Sequence, residues 1–403
     1  MGDAAQFDRR RIAGSVMNRF TIKGWCPSAY RPMLSGDGLV VRVRPRCGRL
    51  SAAQAHGVAD LAARHGNGLI DVTGRANLQI RGVRAAGHES LLGELAQLGL
   101  IDADEECEAQ RNVLVTPFWN EADDTHLLAT ALEQALAASR LGLPAKFGFA
   151  LDCGPQPLLA LAPADVRIER GAAGGLIVRA DGAEQGRLVG PDEAVDAALS
   201  LARWFMESGG MRGERGRMAP HLSSGARLPD GLAGNTAPAP TAATPGPGLD
   251  FRGALVGLVF GQMESATLRF LAGLAPGLRF TPWRMVFIEG LIKLPQHDGL
   301  VTRADDPILR VTACTGAPAC PQAHAETRTL AAALASHLPA DMRLHVSGCA
   351  KGCAHRGASS ITLVGTEDGF DLIRDGCTRD AAAARRLDPA SLLTDPAALL
   401  GVG

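Results

Sequence analysis

No stretch of about 18 or more apolar residues occurs anywhere in the chain, so a membrane-crossing helix is not expected. The N-terminus carries basic clusters but no apolar core followed by a small-residue cleavage site, which argues against a secretory signal. Neither charge is in excess. With 41 Lys and Arg against 42 Asp and Glu the net charge is −1, where a nucleic-acid binder would show a basic surplus. The 9 cysteines lack the even count of a disulfide framework; without an export signal they read as metal ligands or isolated thiols, and the expected compartment is the cytoplasm. What remains is a chain of 403 residues, 46% hydrophobic and 21% charged, the composition of a globular enzyme with room for two or more domains.

Residues 222–250, rich in Pro, Gly, Ala and Thr, read as a flexible linker between two halves. The halves are alike. DVTGRANLQIRGV (71–83) has a counterpart in RFTPWRMVFIEGL (279–291), each after a helical stretch, 51–65 and 262–274. RNVLVTPF (111–118) parallels ILRVTACTG (308–316), LPAKFGFALDCG (143–154) parallels LPADMRLHVSGC (338–349), and residues 166–182 parallel 360–376. Four matched blocks in one order imply a duplicated pair of modules, of α+β class with largely antiparallel sheets.

Cys314 and Cys320 enclose five residues, Cys349 and Cys353 enclose three, and both pairs lie in Gly-rich turns after strand-like runs. Four thiolates in such turns suit a [4Fe–4S] cluster, because backbone N–H groups can approach the sulfurs. Structural zinc is the competing reading, but its paired ligands usually enclose two to four residues, and the wider gap fits poorly. Cys26, Cys47, Cys107, Cys153 and Cys377 have no ligand spacing and read as ordinary thiols.

This cysteine pattern within a duplicated module resembles the sulfite and nitrite reductase superfamily over nearly the whole chain. KGWCPSAYRPMLSGDGLVVRVRP (23–45) resembles its cofactor-wrapping N-terminal segment, and VTGRANLQIRG, RNV and LPAKFGF resemble three motifs whose basic residues face the substrate anion beside sirohaem. By position these residues are Arg75, Arg111 and Lys146. The reductases carry a second basic residue two places after that Lys, where this chain has Gly148. That departure, the modest length, and the KGWCPSAYRPMLSGDG and LRFTPWRMVFIEG blocks resemble the precorrin-3B synthase branch.

The resemblance implies a duplicated sulfite/nitrite reductase-like fold, with two ferredoxin-like half-domains and two α/β modules related by pseudo-twofold symmetry. The implied boundaries are 17–90 for the wrap and first half-domain, 105–221 for a module without cluster, 251–300 for the second half-domain and 305–400 for the cluster module. It implies O2-dependent hydroxylation of precorrin-3A at C20 with γ-lactone formation, in cobalamin biosynthesis. The implied cofactors are a [4Fe–4S] cluster, a mononuclear non-haem iron, and NADH as reductant, directly or through a partner. A sirohaem-dependent sulfite or nitrite reductase is the alternative, and a non-enzymatic iron–sulfur carrier or redox sensor a further one.

A tetrapyrrole fringed with carboxylates calls for arginines. Arg42, Arg44 and Arg46 alternate with Val41 and Val43, so an extended strand would project all three to one face. Arg31 and Arg81 stand close in sequence to the same motifs, and Arg forks bind carboxylates bidentately. Arg284, in the TPWR block, is the expected counterpart of the Arg75 region, with Trp283 beside it as a candidate ring-packing residue. No histidine set matches a non-haem iron site; His345 and His355, flanking the second cysteine pair, are the nearest candidates.

Overall fold

The computed structural model describes residues 27–396. Residues 17–26 of the expected wrap, with Cys26, and residues 397–400 of the last module lie outside this range. The chain divides into two compact units, Gly24–Leu309 and the part from Arg310 onward. No helix among the described residues is long and apolar enough to cross a membrane.

The larger unit begins with two antiparallel sheets, one of five strands and one of six, the latter counting Leu300–Val301, which pairs alongside Gly253–Leu258. One runs Met33–Ser35, Gly38–Val43, Leu78–Val83, Leu69–Val72 and then Gln262–Glu264. The other runs Gly248–Asp250, Gly253–Leu258, Met285–Glu289, Gly277–Phe280 and then Arg49–Ser51. The fifth strand of each sheet thus comes from the other repeat. Leu50 pairs with Leu278 and Met263 with Ile70.

Each exchanged strand is launched by the same device. Cys47 and Gly48 (φ 49° and 70°) precede one, and Phe260 and Gly261 (φ 53° and 72°) precede the other. A Cβ at Gly261 would lie 2.7 Å from the Arg284 side chain, so glycine is required there on two counts. Helices Ala52–His65 and Ser265–Ala272 follow, where the sequence led us to expect helix from 51 and 262. Ser51 caps the first, accepting from Gln54 N while Gln54 Oε1 accepts from Ser51 N. Its apolar face (Ala55, Val58, Ala59, Leu61, Ala62) joins Leu78 and Ile80 in the core, both fully buried and each stabilising by about 2 kcal/mol.

The first α/β module carries strands in the order Val113–Val115, Phe149–Asp152, Val166–Arg170, Leu176–Ala180 and Arg187–Val189. The first three are parallel, helix Asp124–Ser139 making one crossover, and the last two are antiparallel. The smaller unit repeats this order with Val311–Ala313, Leu344–Ser347, Ser359–Thr366, Gly369–Gly376 and Ala384–Leu387. Val113 pairs with Phe149 and Phe149 with Val166, as Val311 pairs with Leu344 and Leu344 with Ile361.

The 222–250 segment differs from the flexible linker its composition implied. It contains the short helix Asp230–Ala233, and its backbone bonds to the first module through Thr236 with Gly186, Ala239 N with Arg170 O and Ala242 N with Pro157 O. Open backbone groups of that module, together with Leu222, Leu228 and Leu232 packed against its core, give this Pro- and Ala-rich stretch its course.

The second sheet has one prominent electrostatic joint. Glu289 accepts from Arg49 at 2.7 and 2.8 Å and from Arg279 at 2.6 Å, while Arg279 lies over the Trp119 ring at 3.5 Å and donates to the Pro117 and Trp119 carbonyls. Glu289→Ala removes the anion from two partly or fully buried guanidinium groups. The expected cost is about 3 kcal/mol, read as a lower urea midpoint at unchanged slope.

Candidate active site and cluster site

The TGRA turn (73–76) connects strands Leu69–Val72 and Leu78–Val83. Ala76 N donates to Thr73 O at 2.9 Å and Asn77 N to Thr73 Oγ1 at 3.2 Å. The TPWR turn (281–284) has the same bonds, with Arg284 N to Thr281 O at 3.3 Å and Met285 N to Thr281 Oγ1 at 3.1 Å. Ala76 and Arg284 share positive φ, 56° and 63°. The residue matching Arg75 is therefore Trp283, and Arg284 matches Ala76, which corrects the expected pairing. The turns meet: a Cβ on Gly74 would lie 3.9 Å from the Pro282 carbonyl. Trp283 is half-buried against Leu255, Met285 and Phe287, so its ring packs into the core.

Arg75 and Lys146 do come together. Arg75 Nη2 donates to the Lys146 carbonyl at 2.8 Å, and the Lys146 side chain is exposed. A Cβ at Gly148 would lie 3.4 Å from Arg75 Nη1 and 3.0 Å from Asn112 O, so the missing basic residue leaves room for Arg75 itself.

Arg111 does not join them. Its Nε donates to both Asp102 oxygens at 2.9 and 3.0 Å, its Nη1 stands 3.8 Å from Glu133, and the residue is 4% exposed. Burial opposes this charge, but Glu133 and Asp102 outweigh it and raise the Arg111 pKa. Burial would likewise raise the Asp102 pKa, but Arg111 foremost, then Arg46 and Arg44, hold it below the usual carboxylate range. Arg111 is a structural ion-pair residue, and its expected place at the substrate is corrected. Asp102 and Glu133, which sequence pattern did not single out, are the reason.

The arginine ladder also departs from expectation. The strand ends at Val43, and Pro45 turns the chain, so only Arg42 stays on it, opposite Gln79. Arg46 pairs with Asp102 at 2.7 Å, and Arg81 is buried between Asp37 and Asp71. Arg44 is 4% exposed; its Nη1 donates to the Glu108 carbonyl, and its Nε has no hydrogen-bond partner. Desolvation first, then repulsion from Arg42, pushes its pKa down to about 9, with Glu108 opposing. Arg31 is exposed in a turn closed by Ser28.

In the smaller unit the four cysteines gather at the ends of two parallel strands. Cys314 follows strand Val311–Ala313, and Cys349 comes two residues after strand Leu344–Ser347. Gly348 N donates to Cys314 Sγ at 3.2 Å, and the Lys351 N–H lowers the Cys349 pKa against a larger desolvation effect. Cys349 and Cys353 thiols are both raised, first by desolvation and further by the other cysteines. Gly352 (φ 62°) makes the closing turn possible, since a Cβ there would sit 2.7 Å from Thr378 Oγ1. Crowded, desolvated thiols with an N–H donor aimed at sulfur fit a group that brings its own cations, as an iron–sulfur cluster does.

Among the described residues no group of three or more His, Cys, Asp or Glu side chains, the four cysteines included, stands at the spacing that holds a single metal ion. His345 is fully buried with its ring edge-on to exposed His355 at 5.7 Å, and no third ligand joins them. The expected non-haem iron therefore finds no ligand set among the described residues.

Residues 31–98 match the nitrite/sulfite reductase ferredoxin-like half-domain model. The solved structure of the Mycobacterium tuberculosis NirA protein superposes with a TM-score of 0.61, at 19% identity, over 88% of this chain and 79% of that one. The fold is thus that of the NirA protein, and residues 31–98 form a ferredoxin-like half-domain of the nitrite/sulfite reductase type. The precorrin-3B synthase of a Sinorhizobium species is 30% identical over 90% of this chain and 85% of its own. The chain belongs to the precorrin-3B synthase family. Ferredoxin–nitrite reductases are similar too, one from Leptolyngbya laminosa at 25% over 87% of this chain and 82% of its own. Another, from Synechococcus elongatus, is 30% identical over 32% of this chain.

Two tests follow. Arg111→Ala removes the buried cation against Asp102 and Glu133, leaving Arg46 as their remaining ion-pair partner, and is expected to cost about 2 kcal/mol in urea unfolding, whereas Arg75→Ala costs about 1 kcal/mol or less. The second concerns Asp152, 3% exposed, which accepts from Leu158 N and Leu159 N at the foot of the loop leading to Pro163. Burial pushes its carboxyl up to about 6 against those two donors. The folded state then holds a proton that the unfolded state, titrating near 3.9, has lost, so stability falls as pH rises from about 4 through 6. Asp152→Asn removes that dependence: relative to wild type the variant gains about 3 kcal/mol between pH 4 and 7 in urea unfolding.

Proposed function

We propose that this protein hydroxylates precorrin-3A at C20, with an acetate side chain closing a γ-lactone, to give precorrin-3B. The observation that carries the reading is kinship along the chain with a precorrin-3B synthase, over 90% of the residues at 30% identity. Gly148 supports it. A small inorganic dianion calls for several converging cations, and here one of the expected cations is replaced by space for Arg75.

The substrate is a polycarboxylate, and cations prepared for it are at hand. Arg75 is bonded to the Lys146 carbonyl, and the Lys146 side chain is exposed on the same loop. Arg44 is a desolvated guanidinium with an unused Nε, which a carboxylate would satisfy and whose pKa it would restore. Arg42 and Arg31 complete the candidate set. Arg284, held by Gly261 and its own backbone, is the weakest member. Arg111 acts from behind, since its Nη2 bonds the Arg44 carbonyl at 3.0 Å and fixes that residue's path.

Cys314, Cys320, Cys349 and Cys353 would hold a [4Fe–4S] cluster, which supplies single electrons. The balance is one ring C=C bond, the acetate O–H bond and one O2 molecule giving two C–O bonds (hydroxyl and lactone) and one water, with two electrons and two protons from a reductant such as NADH, directly or through a carrier protein. No residue of a mononuclear iron site is assigned.

The test is anaerobically purified protein given precorrin-3A, a reductant and then O2. Mass spectrometry is expected to show a product heavier by one oxygen atom. Its absence with the cluster intact, as for sulfite or nitrite turnover in its place, contradicts the proposal. Cys349→Ser is expected to lose cluster absorbance and turnover together; turnover surviving the loss removes the cluster from the reaction.

A further inference from the structure

Asn112 stands immediately before strand Val113–Val115 and is 7% exposed. Its Nδ2 donates to the Ala145 carbonyl at 2.9 Å and the Phe147 carbonyl at 3.0 Å, the two that flank Lys146. The Lys146 carbonyl between them takes the bond from Arg75 at 2.8 Å. Three successive carbonyls are thus divided between one buried amide and one guanidinium. Phe147 N closes the turn on Pro144 O at 2.8 Å, and the Phe147 ring is buried against Phe149 and Phe205.

Neither side of this arrangement can give way. Asn112 O accepts from Phe149 N at 2.8 Å, Gly148 N donates to Asp165 Oδ2 at 2.9 Å, and Gly148 O accepts from Asp165 N at 2.7 Å. Arg75 approaches within 3.4 Å of where a Gly148 Cβ would stand. Asn112 Oδ1 is buried without a partner beside a cavity of about 10 Å³ lined by Arg75, Asn77, Val113, Leu114 and Pro163, room for one water at most.

We propose that Asn112 is a positioning residue: by tying down the carbonyls on both sides of Lys146 it turns the Lys146 carbonyl onto Arg75, a clamp between a half-domain turn and a module loop that fixes the guanidinium for a carboxylate of a tetrapyrrole, with the exposed Lys146 side chain carried by the same loop. Gly148 gives the clearance the clamp needs. The inference rests on the proposed function, and deepens it by naming what fixes the Arg75 guanidinium. The side-chain amide suits the task because its two N–H groups reach two carbonyls at once, which neither Ala nor Asp does.

The test uses the full-length protein and uroporphyrin III, a tetrapyrrole octacarboxylate, with binding followed by fluorescence. Arg75→Ala and Asn112→Ala are each expected to weaken binding roughly ten- to a hundredfold, the range for a hydrogen bond to a charged group. The double variant is expected to lose far less than the product of the two single losses, because Asn112 works through Arg75. Losses that multiply, or an Asn112→Ala protein that binds like wild type, overturn the inference. Should Asn112→Ala fail to fold, Gly148→Ala carries the same test: about tenfold weaker binding in the wild-type background and no change in the Arg75→Ala background. An equal loss in both backgrounds overturns the clamp. Wild-type protein that binds no uroporphyrin overturns the functional reading itself, a result distinct from an inert Asn112.

Discussion

The reciprocal exchange of one strand between the two half-domain sheets is the constraint from which the rest of the larger unit follows. Arg49–Ser51 closes the second sheet and Gln262–Glu264 the first, so neither sheet is complete without the other repeat. The exchange brings the TGRA and TPWR turns together, Gly74 against Pro282. Duplication supplied identical backbones there, and divergence supplied different chemistry: Arg75 on one turn, Trp283 on the other. The acidic partners Glu289, Asp102 and Glu133 then decide which arginines are structural and which remain for a ligand.

The two α/β modules diverged in the same manner. Cys314 N bonds Val346 O as Thr116 N bonds Leu151 O, so Thr116 occupies the first cysteine's place. Cys349 and Gly154 each come two residues after the second strand of their module. In the cluster module Gly365 packs where a Cβ would come within 2.9 Å of the Gly348 carbonyl. In the other, Arg170 holds the matching position and bonds the Cys153 carbonyl at 3.0 and 2.5 Å. A guanidinium organises the loop that, in its sister, presents thiols.

Much of this was legible in the chain. The repeat, the order of its blocks and the four cysteines follow from pattern and spacing, because pairing register and ligand number are local properties of sequence. What failed had one cause: a charged residue's role depends on its partner, and partners come from afar. Arg111 looked like an anion ligand until Asp102 and Glu133 were found against it, and Arg44 and Arg46 left the expected ladder because Pro45 ends the strand. Arg284 was expected to answer the Arg75 region because it is the arginine of its block, whereas the block alignment and the positive φ shared by Ala76 and Arg284 set Trp283 opposite Arg75. Asn112 lay within a recognised motif, yet its task appears only once three carbonyls of a distant loop surround Arg75 and Asn112.

The central claim is that the tetrapyrrole is this protein's substrate and not its resident haem, with the cluster supplying electrons to the chemistry rather than carrying it. The optical spectrum of anaerobically purified protein, together with its iron and acid-labile sulfide content, tests that claim most directly. The account predicts a broad brown cluster absorption with one cubane's iron and sulfide per chain and no haem bands. Strong sirohaem bands in the purified protein would contradict it.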